Sequence, residues 1–334
     1  MKAILLTAAG GPEALNYQEY PMPSAPDPHF IRVRLQAAGV NPVDYKLRQR
    51  GGFYPEQLPA ILGCDGAGVV ESIGSAVVRF KPGDAVYFCN GGLGGAEPGN
   101  YAEYTVVNED YAALKPPTWS MVEAAALPLI WITAWEALVD RAKLQPGQRV
   151  LIHAAAGGVG HVAVQLARHL GAKVAVTVSS PEKAALARRL GADHCIDYKT
   201  TDFVQATLDW TGGEGVEVVL DTVGGELFAR SFAATKLYGH LVTLLEPPLD
   251  TAAIKLAKLR NLSLSFELML TPMLWSLHEA RIAQRRMLEA ANQLIQENRL
   301  QIKVAQTFPL AEAALAHTRL EAGGFIGKLV LHIP

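Results

Sequence analysis

Over the first 120 positions, apolar residues alternate with polar ones or form short runs cut by Gly and Pro. Examples are 31–35 (IRVRL), 66–73, and 85–89 after the turn Lys81-Pro82-Gly83-Asp84. Period-two patterning between turn residues predicts strands, and helical spacing is scarce here. From about residue 122 the texture changes. MVEAAALPLIWITAWEALVDRA (121–142) reads as helix, and after QPGQ apolar strands alternate with amphipathic helices. RVLIHAA (149–155) reads as a buried strand, HVAVQLARHLG as a helix closed by Gly171, KVAVTVS as a strand, and PEKAALARRLG as a helix opened by Pro181 and closed by Gly191. HCIDY, DFVQATLDWTGG, VEVVLDTVGG and HLVTLLE continue the alternation. A long helical stretch then runs from 270 to about 299, before a strand, the helix LAEAALAHTRLEAG and a last strand GKLVLHI.

Strand–helix alternation at this pace implies right-handed crossovers and a parallel, doubly wound sheet. The expected class is therefore α/β. A β-rich domain over 1–122 precedes a doubly wound (Rossmann-type) α/β domain over 123–263, and a segment over 264–334 returns to the first domain.

Composition narrows the function. The 334 residues suffice for two domains and a cleft. Half are hydrophobic and 19% charged, which excludes a largely disordered chain. A net charge of −2 with no basic stripe argues against nucleic acid as partner. Three scattered cysteines (Cys64, Cys89, Cys195) cannot build a disulfide framework or a four-cysteine zinc site, and they fit a reducing, cytoplasmic setting. The apolar start ends at Gly10-Gly11-Pro12, so it reads as strand and turn rather than signal peptide. The apolar stretch 124–138 contains Pro128, Thr133 and Glu136, short of the ~20 clean residues of a membrane span. No membrane partner is expected.

The strongest chemical signal is AAAGGVG (154–160), after a strand and before a helix. Against the pattern G-x-G-x-x-G it places Ala155 at the tight turn, Gly157 where the backbone approaches a pyrophosphate, and Gly160 where helix and strand pack. Ala156, Gly157, Gly158 and Val159 form the expected cradle, with the phosphates on the free N–H groups of the helix beginning near Val159. An acid about 20 residues on would select NAD through the ribose 2′-hydroxyl. Here Ser179 and Ser180 stand at that place, with Lys183 following on the helix. Two hydroxyls and an ammonium accept a 2′-phosphate, so NADPH is the expected cofactor. Ser180 also suits a helix N-cap.

Further stretches extend the picture: GVNPVDYKLRQRGG (39–52), YPEQLPAILGCDGAGVVESIG (54–74), KPGDAVY (81–87), YAEY (101–104), AAALPLIWITAWEAL (124–138), LGADHCIDY (190–198), DTVGG (221–225) and GKLVL (327–331). Together they resemble the medium-chain dehydrogenase/reductase superfamily, in its zinc-free quinone oxidoreductase (zeta-crystallin-like) branch. The resemblance runs the length of the chain. It implies a GroES-like fold for the first domain and carries several roles. Asn41 resembles the residue near the nicotinamide ribose and substrate, and Tyr54 a pocket tyrosine able to hydrogen-bond a carbonyl or simply to pack. Thr133 would face the nicotinamide, and Tyr198 would touch the 2′-phosphate. Val223, Gly224, Leu244 and Leu245 end the fourth and fifth strands, while Phe266 and Lys328 would close the nicotinamide side. Trp131 and Ile132 are bulkier than usual for the family.

The zinc-dependent relatives place ligands where this chain has Asn41, Gly63-Cys64-Asp65 and Leu129-Ile130-Trp131; catalytic zinc requires three protein ligands, Cys64 and Asp65 alone cannot supply them, and no metal is expected. Without one, the feasible substrate is a small electron-poor acceptor, a quinone or α,β-unsaturated carbonyl. The alternatives are an NADPH-binding redox sensor with little turnover, or an enoyl-thioester reductase. The Gly-rich loop 89–100 has no helix after it and reads as a flexible connection. The apolar strand near 262–268 (LSLSFEL) is expected to form a sheet edge covered by a second copy, giving a homodimer.

Overall fold

The computed structural model describes residues 1–24, 26–246 and 248–334. They form two compact units, one of Met1–Leu129, Leu270–Asn298 and Ile302–Pro334, the other of Ile130–Met269 and Arg299–Gln301.

The first unit is built on mostly antiparallel strands. Its larger sheet runs Val304–Pro309, Lys328–His332, Phe30–Val40, Asp65–Ile73, Ala85–Cys89 and Ala112–Leu114, with Tyr104–Asn108 also paired to Phe30–Val40. Register gathers particular residues at one end of this sheet. Gly39 stands opposite Asp65, Asp65 opposite Cys89, and Val40 opposite Leu329. Asn41 and Lys328 are therefore neighbours despite their separation in sequence. Gly39 is needed for this convergence, because a Cβ there would come within 2.4 Å of the Ala125 carbonyl oxygen.

A helix at Pro42–Arg50 follows directly, where apolar periodicity predicted none. It is mostly polar, so no stripe announces it. Its start is fixed locally instead: Asn41 and Asp44 form a reciprocal capping box, Pro42 opens the first turn, and Gly51 ends the helix in the left-handed conformation. The 121–142 stretch is not one helix either. It divides into Met121–Ala125, Pro128–Trp135 and a π-helical turn Glu136–Arg141, since Pro128 cannot donate the hydrogen bond that continuity needs. The long segment after 270 similarly divides into Thr271–Leu274 and His278–Gln296.

The second unit holds a six-stranded parallel sheet. Its spatial order is His194–Asp197, Lys173–Val178, Arg149–Ile152, Val216–Asp221, Thr235–Thr243 and Ser263–Phe266. Numbered by sequence, that is 3-2-1-4-5-6, the doubly wound order with its switch point beside the first strand. One core of this unit packs Leu151, Val219 and Leu241 from the strands against Phe203, Phe228 and Phe232 from helices Phe203–Trp210 and Glu226–Ala234. Ser263–Phe266 is the edge strand, with Leu264 and Phe266 partly exposed.

Candidate active site

Of the residues expected at the cofactor, the turn Ala156–Val159, Ser179, Ser180, Tyr198, Val223, Gly224, Leu244, Leu245 and Phe266 lie at the carboxyl ends of the parallel strands. Arg149–Ile152 leads into the turn containing Ala156 and Gly157, and Gly158–His169 is the helix that follows, with Gly157 as its N-cap. Gly160 has no freedom to change, since a Cβ would sit 2.3 Å from the Ala154 carbonyl oxygen and 2.8 Å from Ala155 Cα. The first-turn N–H groups of this helix have no intrahelical acceptors, which is the general basis of phosphate binding at such a turn. At the end of Lys173–Val178, the Lys183 ammonium donates to Ser179 Oγ at 3.0 Å, and Ser180 Oγ accepts from Lys183 N at 3.3 Å as N-cap of Pro181–Leu190. The cap and the hydroxyl–ammonium pair thus coexist. Tyr198, half exposed, closes the third strand.

Two residues that sequence reasoning passed over shape the fourth and fifth strand ends. Buried Asp221 accepts from Val223 N and Gly224 N, each at 2.9 Å, and from the Thr243 hydroxyl at 2.9 Å. Leu244 N donates to Asp221 O and Leu245 N to Thr243 Oγ1. One carboxylate therefore sets the backbone of both turns. Gly224, at φ +73°, lies against Leu245 too closely for a Cβ. Phe266 ends the edge strand beside Thr243, and Thr133 is buried on helix Pro128–Trp135. The signal for Asp221 was the DTVGG motif, in which the acid is spaced to cap its own turn.

In the first unit, Asn41 and Lys328 belong to a buried polar cluster. Asn41 Nδ2 donates to Asp65 Oδ2 at 2.9 Å, and its backbone N–H to Asp44 Oδ2 at 2.8 Å. The Lys328 ammonium donates to Asn41 Oδ1 and, at 3.0 Å, to the Val40 carbonyl, and lies 3.8 Å from Asp65 Oδ2. Leu129 N–H completes Asp65 by donating to Oδ1 at 2.8 Å. These bonds leave the Asn41 amide a single orientation. Tyr101 donates to Asp44 Oδ2 at 2.8 Å and meets His317 Nε2 at 3.3 Å, and His317 Nδ1 meets Arg48 at 3.4 Å. Arg48 in turn pairs with Glu321 at 2.8 Å.

Burial dominates the protonation of this cluster. It raises Asp44 to about 7 and also raises Asp65, against the pull of Lys328. Lys328 is lowered by the same desolvation, and burial with Arg48 nearby takes His317 down to about 3. Tyr54 is half-buried, its ring lying over Gly95. The loop 89–100 differs from the flexible connection that its glycines predicted. Arg281 grips both Glu97 oxygens and Asn90, while Asn100 Nδ2 donates to three carbonyls, of Gly63, Cys64 and Asn90.

Asn41 and Lys328 thus come together, with Asp44, Asp65, Tyr101 and His317 as partners that the motif reading did not assign. The capping-box spacing Asn41-x-x-Asp44 was the one available signal. Tyr101 opens the YAEY stretch, to which the resemblance attached no role, and His317 lies in the helix LAEAALAHTRLEAG outside any motif.

Among proteins of known family, a description reading "Alcohol dehydrogenase GroES-like domain" matches residues 27–117, and one reading "Zinc-binding dehydrogenase" matches residues 190–331. A quinone oxidoreductase of Pseudomonas aeruginosa is 38% identical, the match covering 99% of each chain. A 2-haloacrylate reductase of a Burkholderia species is 34% identical over 98% of each. The solved quinone oxidoreductase of Escherichia coli, described as complexed with NADPH, aligns with a TM-score of 0.87 at 30% identity, over 99% of this chain and all of that one.

The zinc of the family description does not suit the donors found here. Asn41 Oδ1 and Asp65 already face the Lys328 ammonium, so a divalent cation would stand against a fixed positive charge. The Cys64 thiol is lowered by a hydrogen bond with Cys89, yet burial beside Asp44 and Asp65 holds it above its usual range, away from the thiolate that binds metals. Among the described residues, no group of three or more His, Cys, Asp or Glu is placed to hold a metal ion. With both domains matched and relatives aligned from end to end, the chain belongs to the medium-chain dehydrogenase/reductase superfamily, in its quinone oxidoreductase branch.

Proposed function

We propose that this protein is a zinc-independent, NADPH-dependent reductase of electron-poor acceptors, quinones or α,β-unsaturated carbonyl compounds. The observation that carries this reading is the pairing of Ser179 with the Lys183 ammonium at the end of the second parallel strand, where NAD-selective sheets keep a carboxylate. Support for the acceptor class comes from the relatives named for quinones and for 2-haloacrylate, an activated alkene.

NADPH, when bound, supplies the hydride; the protein supplies position and charge. Ser179, Lys183 and Tyr198 would receive the 2′-phosphate, and the helix start at Gly158 the pyrophosphate. Asp221 and Thr243 hold the turns at Val223–Gly224 and Leu244–Leu245 in one shape. Asn41 presents an amide whose orientation is locked by Asp65 and Lys328, and Tyr54 offers a hydroxyl to a carbonyl oxygen. An already polarised acceptor needs only such donors and a proton as negative charge develops on its oxygen. The exposed edge strand supports a homodimer, and the three free cysteines suit a reducing cytoplasm.

Steady-state consumption of NADPH against 1,4-benzoquinone, 9,10-phenanthrenequinone and simple enones tests the reading. Turnover with at least one class is expected. NADPH binding without consumption across all of them would favour a sensor instead.

A further inference from the structure

The glycine-rich turn starts on a residue in an unfavourable conformation. Ala154 has φ +53°, in the left-handed region that a Cβ disfavours. Its backbone is held at both ends: its N–H donates to Thr177 Oγ1 at 3.0 Å, and its carbonyl accepts from Gly157 N at 2.9 Å. That carbonyl is also the atom closest to where a Cβ on Gly160 would stand. The orientation of Ala154 therefore sets how the phosphate turn and helix Gly158–His169 fit together.

The Thr177 hydroxyl is itself aligned by a buried histidine. His153 Nδ1 lies 3.2 Å from Thr177 Oγ1, and its Nε2 lies 3.0 Å from Ser231 Oγ. Ser231 spends its only proton on the Leu227 carbonyl at 2.7 Å, so its oxygen must accept from His153 Nε2–H. Nδ1 is then bare and accepts the Thr177 proton, which leaves a Thr177 lone pair for the Ala154 amide. Only this arrangement satisfies every member. Burial keeps the imidazole neutral, its pKa lowered to about 3, so protonation does not interrupt the chain near neutral pH.

We propose that His153 is a positioning residue for the cofactor: through Nδ1 it aligns the Thr177 hydroxyl, which pins Ala154 in the left-handed conformation that shapes the phosphate turn. The inference rests on the NADPH reading above and adds to it a residue that touches neither cofactor nor acceptor.

The test is fluorescence titration of NADPH with thermal melting for the parent, Thr177→Val, Thr177→Ser, His153→Leu and His153→Asn. Thr177→Val and His153→Leu should weaken NADPH by about tenfold, since each removes a link whose loss leaves a buried group unpaired. Thr177→Ser keeps the hydroxyl, and His153→Asn keeps an acceptor at the Nδ1 place, so both should stay within about threefold of the parent. His153→Leu and His153→Asn both lose the ring edge packed against Phe203, at 5.0 Å between centroids, so a purely structural role would lower both melting temperatures without splitting the affinities. Parent-like affinity in Thr177→Val and His153→Leu, or equal affinity in the two His153 variants, overturns the proposal. A parent that fails to bind NADPH removes the cofactor reading and this inference together, whereas binding by the parent with unchanged variants removes this inference alone. Should a variant not fold, the 15N shifts of His153 in the parent decide. A bare Nδ1 is expected, and an Nδ1–H tautomer contradicts the proposal.

Discussion

The Ser179 hydroxyl, 3.0 Å from the Lys183 ammonium, is placed where it would receive a ribose 2′-phosphate. Ser179 stands at a position defined by counting from a glycine motif, and its contact with Lys183 follows from helix spacing. Ser179→Asp should weaken NADPH by several kcal/mol, because a carboxylate would face the 2′-phosphate in a partly desolvated place. Isothermal titration showing equal NADH and NADPH affinity in the parent contradicts that. Asp44 is a different case: its burial, its partner Tyr101 and its like-charged neighbour Asp65 come from segments distant in sequence, so nothing local in NPVD announces them. Because burial raises its pKa to about 7, the folded protein holds a proton that the unfolded chain releases. The stability linked to that proton is present in acid and lost as pH rises through about 7. Asp44→Asn removes the loss while keeping an acceptor for Asn41 and Tyr101. Its melting temperature relative to the parent should rise between about pH 5 and about pH 8, and a constant difference would contradict the assignment.

Among the elements, the first two parallel strands were legible because each is an apolar run followed by a helix that ends at a glycine, Gly171 and Gly191. Helix Pro42–Arg50 was not, since it buries only Asp44, Leu47 and Arg48 and shows no apolar stripe. Pinning of the loop 89–100 was also hidden, because Arg281 reaches it from a helix nearly two hundred residues later. The most constrained junction is that of the phosphate turn with helix Gly158–His169. Gly160→Val should abolish measurable NADPH binding, as the added Cβ meets backbone rather than a side chain that can move aside. Retained affinity in a folded variant, checked by titration and melting, would show that this turn does not seat the cofactor.

For the whole molecule, assembly turns on one edge of the parallel sheet. The strand Ser263–Phe266 leaves one side of a parallel sheet unpaired, with Leu264, Phe266 and Leu268 at 39, 63 and 50% exposure. An apolar edge of that kind is a template for strand pairing, and a second copy across a two-fold axis covers it most simply. Light scattering should give about 72 kDa, twice the 35.9 kDa chain. Leu264→Lys should shift the protein toward monomer by placing a charge in the pairing surface. A parent mass near that of one chain contradicts the dimer.

Metal-free hydride delivery to an electron-poor acceptor is followed through the transferred hydrogen itself. Chelator-treated protein is given NADPH bearing deuterium at the transferable C4 position, together with a simple enone, and the product is read by mass spectrometry and NMR. One deuterium at the β-carbon of the saturated product is expected. Turnover that requires added zinc, or product lacking the label at that carbon, would contradict it.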